Sequence, residues 1–235
     1  MNYQKFIAVD LSTDFLAACG GGGGSSSAPV ATGPVASATS FSLQSSYKSD
    51  AASGYTKSFT ISGSCSGYGN YSVSPANTPA TFEGVNGFSS ISTITETSTN
   101  CTLDPAQSST SYYDTNYVPL GSNTVGVSYG VFLTPPVIPA TVKVGDTGTI
   151  GTLTRYKDST KTTPDGKSVS SYVIEPDTAN TAIVNLISKR YNAGGTLTLT
   201  EQDRYRISST NTFTPISMDV QYANGSTTHL VYTFN

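Results

Sequence analysis

Four carboxylates are the residues best placed to do chemistry. Glu175 and Asp177 alternate along one β-prone stretch, "KSVSSYVIEPD", and Glu201 and Asp203 along another, "TLTLTEQDRYRIS". Alternate residues of a strand share a face. Each pair could therefore set two carboxyl groups side by side, as the acid and base of glycoside hydrolysis require. Arg204 and Arg206 alternate on the other side of the second stretch. The plainer reading of all four carboxylates, a solvated charge ladder on the outer face of a sheet, is preferred. A second constellation is "GSCSG", Gly63 to Gly67, which has the glycine spacing of a nucleophile elbow with cysteine in the place of serine. An elbow needs a strand before it and a helix after it. Here "YGNYSVSP" follows, so a glycine-flanked strand end is favoured. His229, the only histidine, would have to serve as base for any cysteine or serine nucleophile. It lies in the last β-prone run, "TTHLVYTF", and reads as a satisfied strand residue. One histidine makes no zinc ligand set, and no aspartate run has EF-hand spacing. No catalytic residue, metal or cofactor is assigned, and the chain is read as a non-enzyme.

The tyrosines hint at recognition. There are 15 of them and no tryptophan. Many fall in "SGYGNYSVS" and "TSYYDTNYVP", and Tyr68, Tyr71, Tyr112, Tyr113 and Tyr117 are the candidate ligand surface. Tyrosine among Ser, Gly and Asn gives rigid amphipathic contact area with adaptable hydrogen bonds. An envelope glycan or a protein would suit such a surface. Tyrosine is also an ordinary core residue of strands.

The elements that must carry these residues are all β. Charged residues make up only 11% of the 235-residue chain, well below the roughly 25% usual in soluble globular proteins. The formal net charge of -3 gives no basic field to attract nucleic acid, which is excluded as a partner. From Phe41 to about residue 140, "YTKSFTISGSC", "NYSVSP" and "FSSISTITETS" alternate between turn residues, and the spacing predicts a small sandwich-like domain. Pro135, Pro136 and Pro139 end it. From 141 to 235 the runs lengthen, with turns expected at Pro164-Asp165-Gly166, Asp177 to Asn180, Asn192 to Gly195 and Ala223 to Ser226. Six strands in succession predict a curved antiparallel meander. Its inward face is expected to hold Ile150, Leu153 and Val173, then Ile183, Val184 and Leu186. Further along the expected inward residues are Leu197, Leu199, Tyr205, Ile207, Ile216, Met218, Val220, Leu230 and Tyr232.

Residues 1–18 have the parts of a secretory signal: Lys5, an apolar run from Phe6 to Phe15, and small residues before a cut. The segment Leu16-Ala17-Ala18-Cys19 resembles the lipobox of bacterial lipoproteins, and Gly20 to Gly24 with Ser25 to Ser27 resembles the tether that follows it. That resemblance implies a lipid on Cys19 holding the protein to a membrane. Gly20, in place of an aspartate after the cysteine, implies sorting to the outer membrane. Residues 19–40 are too poor in apolar groups to fold and are expected to form a flexible linker spanning on the order of 25 Å. With Cys19 acylated, Cys65 and Cys101 remain as a pair in an oxidising compartment, where their crosslink would contribute roughly 4 kcal/mol. Asp10 and Asp14 interrupt the apolar run on one helical face. An aspartate near the centre of a spanning helix costs about 2.5 to 3.5 kcal/mol, so export is expected to be poor.

"VKVGDTGTIGTLT", "SYVIEPDTANTAIVNLISKRYNAGGTL" and "EQDRYRISS" resemble segments of uncharacterised secreted lipoproteins of Gram-negative bacteria. The resemblance implies a β fold and an envelope location, and no activity. A non-enzymatic, lipid-anchored envelope protein with a structural or binding role is the expectation. The alternative is an envelope polysaccharide or peptide hydrolase using a carboxylate pair.

Overall fold

A computed structural model describes residues 33–103, 106–223 and 228–235. Cys19, the signal and most of the tether lie outside the described residues, as does most of the Asn-Gly turn at Ala223 to Ser226. The described residues form one helix, α1 (Leu43–Ser53), and then strands β1 (Tyr55–Gly63), β2 (Gly67–Val73), β3 (Thr78–Phe82), β4 (Val85–Ser98), β5 (Ala106–Asp114) and β6 (Pro119–Thr124). There follow β7 (Ser128–Phe132), β8 (Thr147–Tyr156), β9 (Pro164–Thr178), β10 (Thr181–Tyr191), β11 (Leu197–Ser208), β12 (Phe213–Tyr222) and β13 (His229–Phe234).

The all-β class is as expected; the arrangement is a twelve-stranded antiparallel barrel with β3 as an extra strand on β4. Strands from the stretches read as a sandwich and as a meander belong to the same sheet. β7 runs on into β8 with Val131 opposite Thr154, and β1 lies beside β13 with Ile61 opposite Tyr232. The ring closes where β9 and β10 lie side by side: Gly166 abuts the Tyr191 carbonyl, and the Ser171 hydroxyl donates to the Ile187 carbonyl at 3.4 Å. Twelve strands leave a wider interior than the eight whose side chains just fill a barrel. Neither stretch is closed alone, and pairing them closes the twelve-stranded ring, with β3 outside it.

Most hairpin signals hold. Asn192 accepts at Oδ1 from the Gly194 and Thr196 amides, and the reversal after Thr178 occupies residues 179 and 180. The turn expected at Pro164-Asp165-Gly166 sits earlier. Asp158 accepts from the Thr160 amide, the Lys161 amide returns to the Asp158 carbonyl, and Pro164 already opens β9. The expected inward set is largely buried, with Leu199, Ile207, Val220 and Leu230 each at 2% exposure or less. Val173 and Ile183 instead point outward, Val173 between Tyr172 and the buried Ile174, and Ile183 between the buried Ala182 and Val184 and opposite Arg206.

Two features of the N-terminal part were not expected. The end of the tether is docked: the Val35 amide donates to the Asp177 carbonyl, and the Ser37 hydroxyl donates to that of Ala179. Phe41, fully buried, then bridges Val142. Helix α1 follows, ending at Gly54, whose φ of 63° only glycine adopts freely. It lies over the barrel end where β1 begins, with the Gln44 amide on the Pro139 carbonyl and the Ala76 amide on the Ala51 carbonyl.

The outward faces are hydroxyl-rich. Thr56, Ser58, Thr60 and Ser62 on β1, and Thr95 and Thr97 on β4, are exposed, while Phe59, Ile61 and Ile94 between them are buried. A barrel that crosses a membrane turns its apolar residues outward. On β1 the alternation is reversed, and on β4 it is reversed except at the exposed Val85 and Ile91.

Candidate functional site

Two apolar layers fill part of the barrel. One, under the docked segment, joins Phe41, Leu43 and Val142 to Ile174, Val184, Ile207 and Phe213. The other, towards the opposite end, joins Phe59, Ile61, Leu230 and Tyr232 to Cys65. Cys65 and Cys101 form the expected disulfide, with Cα atoms 5.7 Å apart. Strand β2 follows Cys65 directly, so "GSCSG" is a strand end carrying a crosslink rather than an elbow.

Within the barrel a cavity of about 240 Å³ remains. That is room for on the order of 15 water molecules, far more than an ion needs. Leu43, Tyr47, Asp50 and Ala51 of α1 border it, at a spacing that places them on one helical face. Tyr55, Tyr71, Tyr113 and Tyr205 border it from four different strands, beside Glu201 and Asp203. Apolar lining comes from Ile94, Phe132, Leu153, Met218 and Phe234, and serines line much of the rest.

The tyrosines form a connected layer. Tyr55 and Tyr71 meet edge to face with centroids 5.9 Å apart, and Tyr71 and Phe234 lie 6.1 Å apart. Tyr47 is hydrogen-bonded to Tyr113, Tyr55 to Tyr205, and Tyr71 to Ser92. Burial pushes all five phenols up, Tyr113 to about 12, and the charge of Asp203 adds to the effect on Tyr55, Tyr71 and Tyr205. Protein surrounds these rings on every side, yet they keep some accessible surface. That surface borders the cavity. Burial also raises the Asp50 carboxyl to about 7.

The four carboxylates separate into two kinds. Glu175 and Asp177 form the outer charge ladder: Asp177 takes Arg206 in a two-bond fork at 2.7 and 3.1 Å, and Glu175 takes Arg204 at 3.2 Å. The Arg206 guanidinium holds the Asp177 carboxyl below its ordinary range. Glu201 and Asp203 are not in that ladder. They share the inward face of β11 with Leu199, Tyr205 and Ile207, and Glu201 is 2% exposed. Beyond Glu201 the wall holds Arg155 and Arg190, whose guanidinia converge on Asp165, Arg190 at 3.9 Å. His229 pairs with Asp219 at 2.8 Å, a satisfied strand residue.

The candidate ligand tyrosines do not share one surface. Tyr71 and Tyr113 are in the lumen. Tyr68 is 60% exposed on the outer face, and Tyr117 stacks on Phe88 with the Lys48 ammonium 5.3 Å above its ring. Tyr112 also borders the cavity, and its ring stacks on Phe82 of β3 with centroids 4.3 Å apart. Sequence reasoning missed Tyr47, Tyr55 and Asp50 as site residues. It also expected Glu201 and Asp203 outside, although their spacing from Leu199 and Ile207, both expected inward, already placed them inside.

Fold and site together define a closed β-barrel with a tyrosine-lined, acidic lumen. In comparison with known proteins, no family model, no curated protein and no solved structure matches this chain, so the reading of the lumen rests on its own geometry.

Proposed function

We propose that this is a non-enzymatic binding protein of the bacterial cell envelope, tethered by a lipid on Cys19, that holds a small molecule inside its barrel. One observation carries the binding reading. The inner wall leaves a cavity of about 240 Å³ bordered by aromatic rings and a few polar groups, the composition of small-molecule sites. The tether supports the envelope location by its resemblance to a lipobox, and the disulfide suits an oxidising compartment. Melting the oxidised full chain with a panel of neutral, anionic and cationic aromatic compounds tests the lumen. At least one class should raise the melting temperature, and Ser92→Trp with Ser109→Trp, which would fill the cavity, should abolish that rise. An unchanged melting temperature across the panel counts against binding.

The hydrolase alternative is favoured by one fact only, that Glu201 and Asp203 share the inward face. Against it, Glu201 is sealed in the wall. Incubation of the purified full chain with isolated envelope polysaccharide and peptide should release no product. Product released by the protein and lost in Glu201→Gln with the fold intact would restore the enzyme reading.

A further inference from the structure

We infer that the lumen selects an organic cation carrying an apolar or aromatic body, which the five tyrosine rings and the carboxylates Asp50 and Asp203 would hold together. This rests on the reading of the lumen as a binding site and assigns its ligand class.

The argument begins with charge. Three carboxylates border the cavity, Asp50, Glu201 and Asp203, and among the described residues that line it there is no lysine, arginine or histidine. The remaining polar lining is phenols, serine and threonine hydroxyls and Gln107, which can donate hydrogen bonds but supply no positive charge. Glu201 lies within the charge of Arg190, which with Arg155 also reaches Asp165, so the cation is assigned to Asp50 and Asp203 rather than to Glu201. Asp50 and Asp203 would repel an anionic group placed beside them and attract a cationic one.

The rings give the second, independent reason. Tyr55 and Tyr71 meet at 5.9 Å and Tyr71 continues to Phe234 at 6.1 Å, a wall of aromatic surface beside the carboxylates. Ring faces attract cations, most of all when water is excluded, and cages of tyrosine are suited to alkylated ammonium groups that bare hydrogen-bond acceptors cannot grip. Size then selects against a metal ion: the cavity is many times larger than one, and no group of metal-ligating side chains exists among the described residues. Leu153, Met218 and Ile94 offer the ligand's body an apolar bed. Burial holds the Asp50 carboxyl at about 7, and a bound cation would restore it to the charged form.

Calorimetric titration of the full chain with three compounds of one shape tests the assignment: phenyltrimethylammonium, its neutral carbon counterpart tert-butylbenzene, and benzenesulfonate. The cation should bind about tenfold or more tighter than the neutral compound, with no saturable binding of the sulfonate. Asp203→Asn should weaken the cation about fivefold or more and leave the neutral compound unaffected, and Asp50→Asn gives a second variant should the first not fold. Equal or tighter binding of the neutral compound or the sulfonate overturns the cation class while the lumen remains a binding site. Failure of all three to bind overturns both.

Discussion

Asp50 concentrates the residue-scale consequences of placing acid inside a barrel. Its carboxyl is raised from 3.8 to about 7 because burial penalises the charged form. The folded state thus holds a proton that the unfolded chain releases above about pH 4. Stability contributed by that proton is fully present below the unfolded value and is lost as pH rises to about 7, then stays flat. Asp50→Asn should remove this slope and leave the protein more stable at pH 8 by on the order of 2 kcal/mol, a discounted figure because the carboxyl keeps some surface on the cavity. Urea unfolding at pH 4.5 and pH 8 measures it; an unchanged slope in the variant would place the titration elsewhere. A second residue-scale test is Gly69. A Cβ there would lie 2.0 Å from the Thr95 carbonyl and 2.5 Å from the Phe59 ring, so Gly69→Ala should cost about 1 to 3 kcal/mol. Wild-type stability of that variant would mean the ring has room to move.

At the scale of elements, what local pattern can and cannot reveal becomes plain. Hairpins from β8 to β13 are marked by alternation and turn residues, and their pairing follows. Helix α1 was not legible. Its apolar face rests on Leu43, Tyr47 and Ala51, set among serines and charges, and tertiary contact rather than periodicity makes it a helix. The pairing of the first strand with the last was not legible either, because Ile61 and Tyr232 lie far apart in sequence, and alternation says which face is buried but not which strands pair. The inward direction of Glu201 and Asp203 was legible and outweighed by their polarity. Charged side chains are rarely inside, and where they are the site commonly has a use for them. The disulfide belongs to this scale as well. It ties the loop after β1 to the end of β4, next to the layer containing Leu230 and Tyr232. Replacing both Cys65 and Cys101 by alanine should cost roughly 4 kcal/mol and make stability insensitive to reductant, as guanidinium titrations with and without dithiothreitol would read.

At the scale of the whole molecule, the barrel presents hydroxyls outward on β1 and β4 and turns Tyr55, Tyr71, Tyr113 and Tyr205 inward with Glu201 and Asp203. In the proposed reading the lumen holds a ligand, and a lipid tether would set where. The two aspartates of the apolar run bear on delivery alone. Asp10→Ala with Asp14→Ala should be processed and acylated at Cys19 more fully than the chain as it stands, as labelling with a clickable fatty acid would show; equal labelling would mean that the aspartates do not impede export. Binding is tested most directly by nuclear magnetic resonance of protein labelled with carbon-13 in its tyrosine rings, titrated with phenyltrimethylammonium. The lumen account predicts shifts for Tyr47, Tyr55, Tyr71, Tyr113 and Tyr205 with Tyr68 unmoved; shifts confined to Tyr68 and Tyr117, with those five unchanged, would contradict it.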